Sequence, residues 1–264
     1  MPSAFGVHLE WRLRLPPRPP LPQRGACPAC RARLQASLMS QPRYCHYLGS
    51  YFCGGCHRGE LRVIPARVVE RWDFGPRKVC HEAAKYLDMQ NDQPLIPITE
   101  IRRTKLTTQA ALTEVHGLRQ KLSRIREIAA DSDCDFIKVL LDMLLKQLPS
   151  HMMQGHDLYT LEDLIQLENK GKYCDFFQKL KDLVKKAAEH IIECPTCKVD
   201  AQTCLLCLSA RPVYAFQVDE CITCRRCKVL YHAVCFRRAG MECPQCMQLR
   251  AHERKPSLSD VRAR

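Results

Sequence analysis

The residues in this chain most able to do chemistry are cysteines, and they are grouped. Cys27, Cys30, Cys45, Cys53 and Cys56 form one cluster. Cys194, Cys197, Cys204, Cys207, Cys221, Cys224, Cys227, Cys235, Cys243 and Cys246 form a second, with His232 among them. Zinc takes four ligands in a tetrahedral array, and Cys-x2-Cys lets one tight turn supply two of them. Two such pairs brought together close one structural site.

In the first cluster, Cys27/Cys30 and Cys53/Cys56 suffice for one site. The 22-residue gap between the pairs suits a treble-clef-like finger. Cys45 and His57 are spare candidates there. In the second cluster, the run from Cys204 to Cys246 has gaps of 2, 16, 2, 4, 2, 7 and 2, with His232 in fifth place. That order has the form of a cross-braced RING, FYVE or PHD site, in which alternate pairs share an ion. It predicts Cys204, Cys207, His232 and Cys235 on one zinc, and Cys224, Cys227, Cys243 and Cys246 on another. Cys194, Cys197 and Cys221 then anchor a third with a fourth ligand still to be found. Cys80, Cys134 and Cys174 stand alone and read as small core hydrophobes. Three to four zinc ions are expected in all.

These sites look closed, whereas a catalytic zinc keeps an open position. The chain has no His-Glu-x-x-His, no nucleophile pattern apart from the ligand cysteines, and no Gly-rich phosphate loop among its 11 glycines. The metal therefore reads as a folding device, since a segment of about 55 residues buries little core by itself. No enzyme is expected.

Composition sets the frame for these sites. The chain has 264 residues, 18 of them cysteine, and a formal net charge of +13. The N-terminus lacks a charged-then-apolar signal pattern, and no run of about 18 apolar residues is present. A reducing, cytoplasmic setting is expected, where paired cysteines are more often metal ligands than disulfides. Three or four thiolate sites would remove about 5 to 7 positive charges. That weakens any nucleic-acid reading of the net charge, and no nucleic-acid partner is expected.

The predicted architecture is mainly α-helical, with small zinc-stabilised α+β modules at both ends. Residues 1–26, with Pro16–Pro22 reading PPRPPLP, suggest a Pro-rich disordered tail. Residues 27–60 form the N-terminal zinc module, 61–192 a helical middle, 193–249 a C-terminal multi-zinc module and 250–264 a basic tail. In the middle, Asp133–Leu148 is so apolar that burial on most sides is expected. Thr160-Leu-Glu-Asp163 has the form of a helix start with Thr160 as N-cap. From Phe176 to Ile191, apolar residues at helical spacing oppose a lysine-rich face.

Four ordered motifs then resemble a known family. They are Arg43-Tyr-Cys-His-Tyr-Leu-Gly-Ser-Tyr-Phe-Cys-Gly-Gly-Cys-His57; Ile64-Pro65 followed by Trp72-Asp73-Phe74; His156-Asp-Leu-Tyr-Thr-Leu-Glu-Asp-Leu164; and Cys224-x2-Cys227-x4-His232-x2-Cys235-Phe236 with Cys243-Pro-x-Cys246. Over about residues 27–255 the chain is similar to the Rubicon homology domain of Rubicon, Pacer and the pleckstrin-homology family M proteins. Cys221, three residues before Cys224, is nearer the Rubicon and Pacer branch.

The resemblance implies a binding module that engages a GTP-loaded late-endosomal Rab GTPase in autophagosome and endosome maturation. It also implies a peripheral location on late endosomes, lysosomes or autophagosomes. Two alternatives come from the zinc pattern. A FYVE-like module would bind phosphatidylinositol 3-phosphate membranes through Arg225, Arg226 and Lys228. A RING-type ubiquitin ligase would use the fold after Cys204 as a docking platform, although the seven-residue gap from Cys235 to Cys243 is short for it.

Overall fold

A computed structural model describes residues 8–19, 25–34, 41–101, 109–153, 155–207, 209 and 211–253. Helix is the prevailing secondary structure, beside small two-stranded antiparallel sheets. The chain divides into two compact units, Met1–Glu114 with Asp157–Cys174, and Val115–His156 with Asp175–Arg264. This cuts across the expected serial order of modules, because the helical middle is shared between the two units.

The first unit contains β1 (Gly25–Ala26) paired with β2 (Arg33–Leu34), β3 (Arg43–Cys45) with β4 (Ser50–Phe52), and β5 (Glu60–Arg62) with β6 (Arg77–Val79). Helix α1 (Pro65–Arg71) begins on a proline, whose fixed φ suits a first helical turn. It stops at Trp72, which is left-handed at φ 55° and donates its backbone N–H back to Val68 O at 2.8 Å. Asp73 then clamps Arg67 and Arg77 at 2.5 and 3.1 Å. Trp72 Nε1 donates to Glu168 at 2.7 Å, which ties α1 to a later helix of the same unit. Helix α2 (His81–Gln90) turns Ala83, Ala84 and Leu87 onto a core that includes Phe52, Ile64 and Val79.

The stretch expected as a free Pro-rich tail is packed over residues 8–19. Leu9 is buried, and Trp11 and Leu15 lie against the core. Tyr47 Oη donates to Glu10 O at 2.6 Å, and the Leu15 N–H donates to Glu70 at 3.0 Å. Proline excludes helix here, but an extended chain can still lay spaced apolar side chains on a core. Pro20–Pro22, the rest of the proline run, lies outside the described residues, as does most of the expected basic tail. Strands β7 (Ile96–Pro97) and β8 (Leu158–Tyr159) pair, and β8 leads into the next helix of this unit, Leu161–Lys170. Thr160 caps it: Thr160 Oγ1 accepts from the Asp163 N–H and the Asp163 carboxylate accepts from the Thr160 N–H, each at 2.9 Å.

The second unit holds the rest of α3 (Ala110–Asp131), α4 (Asp135–Leu145) and α6 (Asp175–Glu193), the Leu161–Lys170 helix being α5. Val115, Leu122, Ile125 and Ala129 of α3 are buried, as are Phe177, Leu180, Leu183, Ala187 and Ile191 of α6. Arg119 is buried as well, and its guanidinium donates to His151 O at 3.2 Å and Gly155 O at 2.7 Å. The expectation for α4 needs correction. It packs on α6 and buries Ile137 and Leu141, but Phe136, Val139 and Met143 are 61%, 57% and 62% exposed. A helix that rests on one neighbour buries one stripe, whatever its composition.

The C-terminal part of this unit has β9 (Cys221–Thr223) paired with β10 (Leu230–His232), then α7 (Ala233–Arg238) and α8 (Pro244–Glu253). Its small core stacks Tyr231 on Phe236 and includes Val213, Leu230 and the cysteines. No helix among the described residues is long and apolar enough to cross a membrane.

Candidate metal centres

Among the described residues, four clusters of Cys and His could each hold a metal ion, and within each cluster the ligand atoms all lie within 4.8 Å of one another. The first is Cys27, Cys30, Cys53 and Cys56. The turn Cys27–Cys30 closes with the Arg31 N–H on Cys27 O at 2.9 Å, and Arg31 turns left-handed at φ 63°. The turn Cys53–Cys56 closes with the His57 N–H on Cys53 O at 3.0 Å. The two turns meet with Cys30 Sγ 3.6 Å from Cys53 Sγ.

Two clusters interleave in the C-terminal module. The first and third pairs, Cys204/Cys207 and His232/Cys235, converge on one; the second and fourth, Cys224/Cys227 and Cys243/Cys246, converge on the other. His232 Nδ1 faces Cys207 Sγ at 3.4 Å and Cys235 Sγ at 3.9 Å. Cys224 Sγ is 3.7 Å from Cys246 Sγ, and Cys227 Sγ is 3.5 Å from Cys243 Sγ. Lys228, directly after its Cys-x2-Cys turn, is left-handed at φ 62° as Arg31 is. The β9–β10 hairpin carries the second pair away from β10 and the third pair, which is how adjacent pairs reach different clusters.

The fourth cluster differs from its expected membership. Cys194 and Cys197 meet Cys134 and His190, not Cys221. Cys134 Sγ lies 3.4 Å from His190 Nε2 and 3.9 Å from Cys194 Sγ. Cys221 is instead buried with its thiol donating to Tyr214 O at 3.2 Å, and burial pushes that thiol up to about 11. The signal for the missing ligands was in the sequence: His190-x3-Cys194-x2-Cys197 puts an imidazole and a thiol one helical turn apart. Cys134 had no such signal, since its partners are supplied by the packing of α4 on α6. Cys80 and Cys174 are buried.

The spare candidates of the first module have other places. Both His57 ring nitrogens are engaged, Nδ1 accepting from the Gly59 N–H at 3.2 Å and Nε2 donating to Tyr44 O at 3.1 Å. Cys45 is buried in the core with Cys80.

The chemistry of the donor sets fits a thiophilic divalent cation. Tetrahedral Zn–S bonds of about 2.3 Å place sulfurs about 3.8 Å apart, whereas a disulfide needs about 2.05 Å. The observed separations are near the former, and no disulfide joins any of the 18 cysteines. Electrostatics agree. Cys27 and Cys204 are pushed up by burial, but backbone N–H groups outweigh this and bring them down to about 7 from 9.0. The Cys227 N–H, foremost, brings Cys224 down to about 6. Other thiols go the other way: burial and adjacent thiols push Cys197, beside Cys194, up to about 11 and Cys246, beside Cys224, up to about 12. Each cluster thus contains at least one thiol held below its ordinary value, Cys194 and Cys243 included, which favours the thiolate form that a cation binds.

Residues 43–251 match the Rubicon Homology Domain family. The bovine (Bos taurus) "Protein associated with UVRAG as autophagy enhancer" is 29% identical over 228 residues, covering 86% of this chain and 33% of that protein. The Drosophila melanogaster "Differentially expressed in FDCP 8 homolog" is 32% identical over 238 residues, covering 90% and 47%. The mouse (Mus musculus) "Run domain Beclin-1-interacting and cysteine-rich domain-containing protein" is 30% identical over 260 residues, covering 92% and 26%. The chain therefore spans between about a quarter and about half of the curated relatives it matches. With the match running from the β3–β4 hairpin to α8, this chain belongs to the Rubicon homology domain family.

Proposed function

We propose that this chain is a non-enzymatic adaptor module, held in shape by zinc, that binds the GTP form of a late-endosomal Rab GTPase and acts in autophagosome and endosome–lysosome trafficking. Zinc occupies each of the four clusters in this reading. Cys27, Cys30, Cys53 and Cys56 close a treble-clef-like finger, and the two interleaved C-terminal clusters form a cross-brace of the RING, FYVE and PHD kind. Four protein ligands at each ion leave no open position for chemistry. The printed names of two relatives speak of autophagy and of a Beclin-1-interacting protein, which supports an adaptor role in that process. The module acts from the cytoplasmic face, peripherally on late endosomes, lysosomes or autophagosomes.

The observation that carries the docking part is the outer face of α4. Phe136, Val139 and Met143 stand exposed at helical spacing, flanked by Asp135, Lys138, Asp142 and Lys146. Exposed apolar groups rimmed by charge are the anatomy of a protein interface. Cys134 sits immediately before α4, and the Phe136 ring rests 4.6 Å from the His190 ring. The Cys134/His190 centre thus fixes the start of the helix that presents this face.

The test is a pull-down of the late-endosomal Rab protein loaded with GTP analogue or with GDP, using the zinc-loaded chain. Retention of the GTP form alone, lost after chelation, is expected. Equal binding of both forms, or of neither, refutes the reading.

A further inference from the structure

A second kind of site lies in the first unit, with no cysteine in its lining. Residues 15–18 run past the β3–β4 hairpin and α1, and enclose with them a pocket of about 350 Å3. That size falls in the range of small-molecule sites, about 300–1,000 Å3. Arg18, Arg67 and Arg71 line it together with His46 and Tyr44, and no carboxylate lines it. Leu15 and Pro16 supply an apolar wall.

The arginines are unevenly committed. Asp73 accepts from Nε and Nη2 of Arg67, and its carboxylate is further engaged by Arg77 at 3.1 Å. Glu70, the other nearby acid, accepts the Leu15 N–H. Arg18 lies 4.8 Å from the centroid of the Tyr44 ring, a cation–π placement that orients it. Among the described residues, neither Arg18 nor Arg71 has a carboxylate partner. His46 registers the resulting field: burial, then Arg67, Arg77 and Arg18, hold it below its ordinary value, so it is neutral beside the cations.

We propose that this pocket binds a dianionic phosphate monoester, carried either by a soluble metabolite or by a lipid headgroup, with Arg18 and Arg71 as its principal ligands. Guanidinium forks match phosphate oxygens two at a time, which a lone lysine cannot do. The apolar wall and Tyr44 suit the carbon skeleton that bears the phosphate. The N-terminal segment is then part of a binding site. Its placement rests on Gly49, buried at φ +71°, where a Cβ would fall 2.6 Å from Pro16 Cβ.

The experiment uses the zinc-loaded full chain and three probes: soluble myo-inositol monophosphate by calorimetry, phosphatidylcholine vesicles carrying a phosphatidylinositol monophosphate, and vesicles of equal charge carrying phosphatidylserine. Binding of the soluble probe alone assigns a metabolite. Binding of phosphoinositide vesicles above phosphatidylserine vesicles assigns a headgroup. In either case Arg18→Gln and Arg71→Gln each weaken binding about tenfold, and Arg225→Gln, in the other unit, leaves it unchanged. Both arginines are exposed, so neither change threatens folding. Failure to bind the soluble probe together with equal binding to both vesicles overturns the proposal, as does binding indifferent to Arg18→Gln and Arg71→Gln.

Discussion

Cys134 Sγ stands 3.4 Å from His190 Nε2 although 56 residues separate them. The pair joins the residue before α4 to the last turn of α6, so one ion there would hold two helices at a fixed angle and expose the Phe136 face. Cys134→Ser is expected to lower zinc content by one ion per chain, read by elemental analysis. Cys221→Ala should leave the zinc content unchanged and cost about 1 kcal/mol for the lost hydrogen bond to Tyr214 O. Equal zinc loss in both variants would remove the assignment.

Acid should release the metal in a defined direction. Cys27 and Cys204 fall from 9.0 to about 7 in the folded chain, and Cys224 falls to about 6. A depressed pKa contributes stability that is fully present above the unfolded value near 9.0 and lost as pH falls through the folded value. Bound zinc lowers these values further. Zinc captured by a chromogenic chelator should therefore rise steeply only as pH drops below about 6. Release that stays flat from about pH 8 down to about pH 3 would contradict thiolate ligation.

The outer face of α4 separates binding from folding. Phe136→Asp and Met143→Asp change exposed side chains, so thermal melting should move little, within about 0.5 kcal/mol. Binding of the GTP-loaded Rab protein should fall at least about tenfold, as for a central apolar anchor. Undiminished binding by both variants would send the search for the interface elsewhere.

Gly49 tests how the N-terminal segment is seated. Gly49→Ala combines a left-handed backbone with a clash against Pro16, whereas Gly59→Ala at φ +89° meets open space. The Gly59 change should cost about 1–2 kcal/mol from backbone strain alone. The Gly49 change should cost more, and should make residues 8–19 sensitive to limited proteolysis. Equal cost and equal protection would mean that the segment yields freely.

The cap of α5 is simpler. Thr160 is buried and bonded reciprocally with Asp163, so Thr160→Ala should destabilise the chain by about 1 kcal/mol in denaturant titration, with zinc content unchanged.

Much of this was legible in the residues. Cys-x2-Cys pairs are local, and a tight turn between two ligands needs only a few residues to form, so the spacing announces each half-site. The N-cap at Thr160 and the helical face from Phe176 to Ile191 are local for the same reason: capping and 3.6-residue periodicity are written within one or two turns. Family membership was legible through such motifs too.

Which halves meet is another matter. Cys134 joins His190, Cys194 and Cys197 because α4 packs on α6, and no pattern near Cys134 records that event. Cys221 looked like a ligand by proximity in sequence, but the β9–β10 hairpin places it in the core beside Tyr214. The composition of α4 called for burial, yet its outer stripe is exposed because composition states what a helix can bury and only its neighbours decide what it does. Proline content argued for a free N-terminal segment, and the core's acceptance of Leu9, Trp11 and Leu15 fixed it in place. Local spacing determined the kinds of chemistry available to this protein; long-range packing, which costs chain entropy and is repaid by burial, selected the partners.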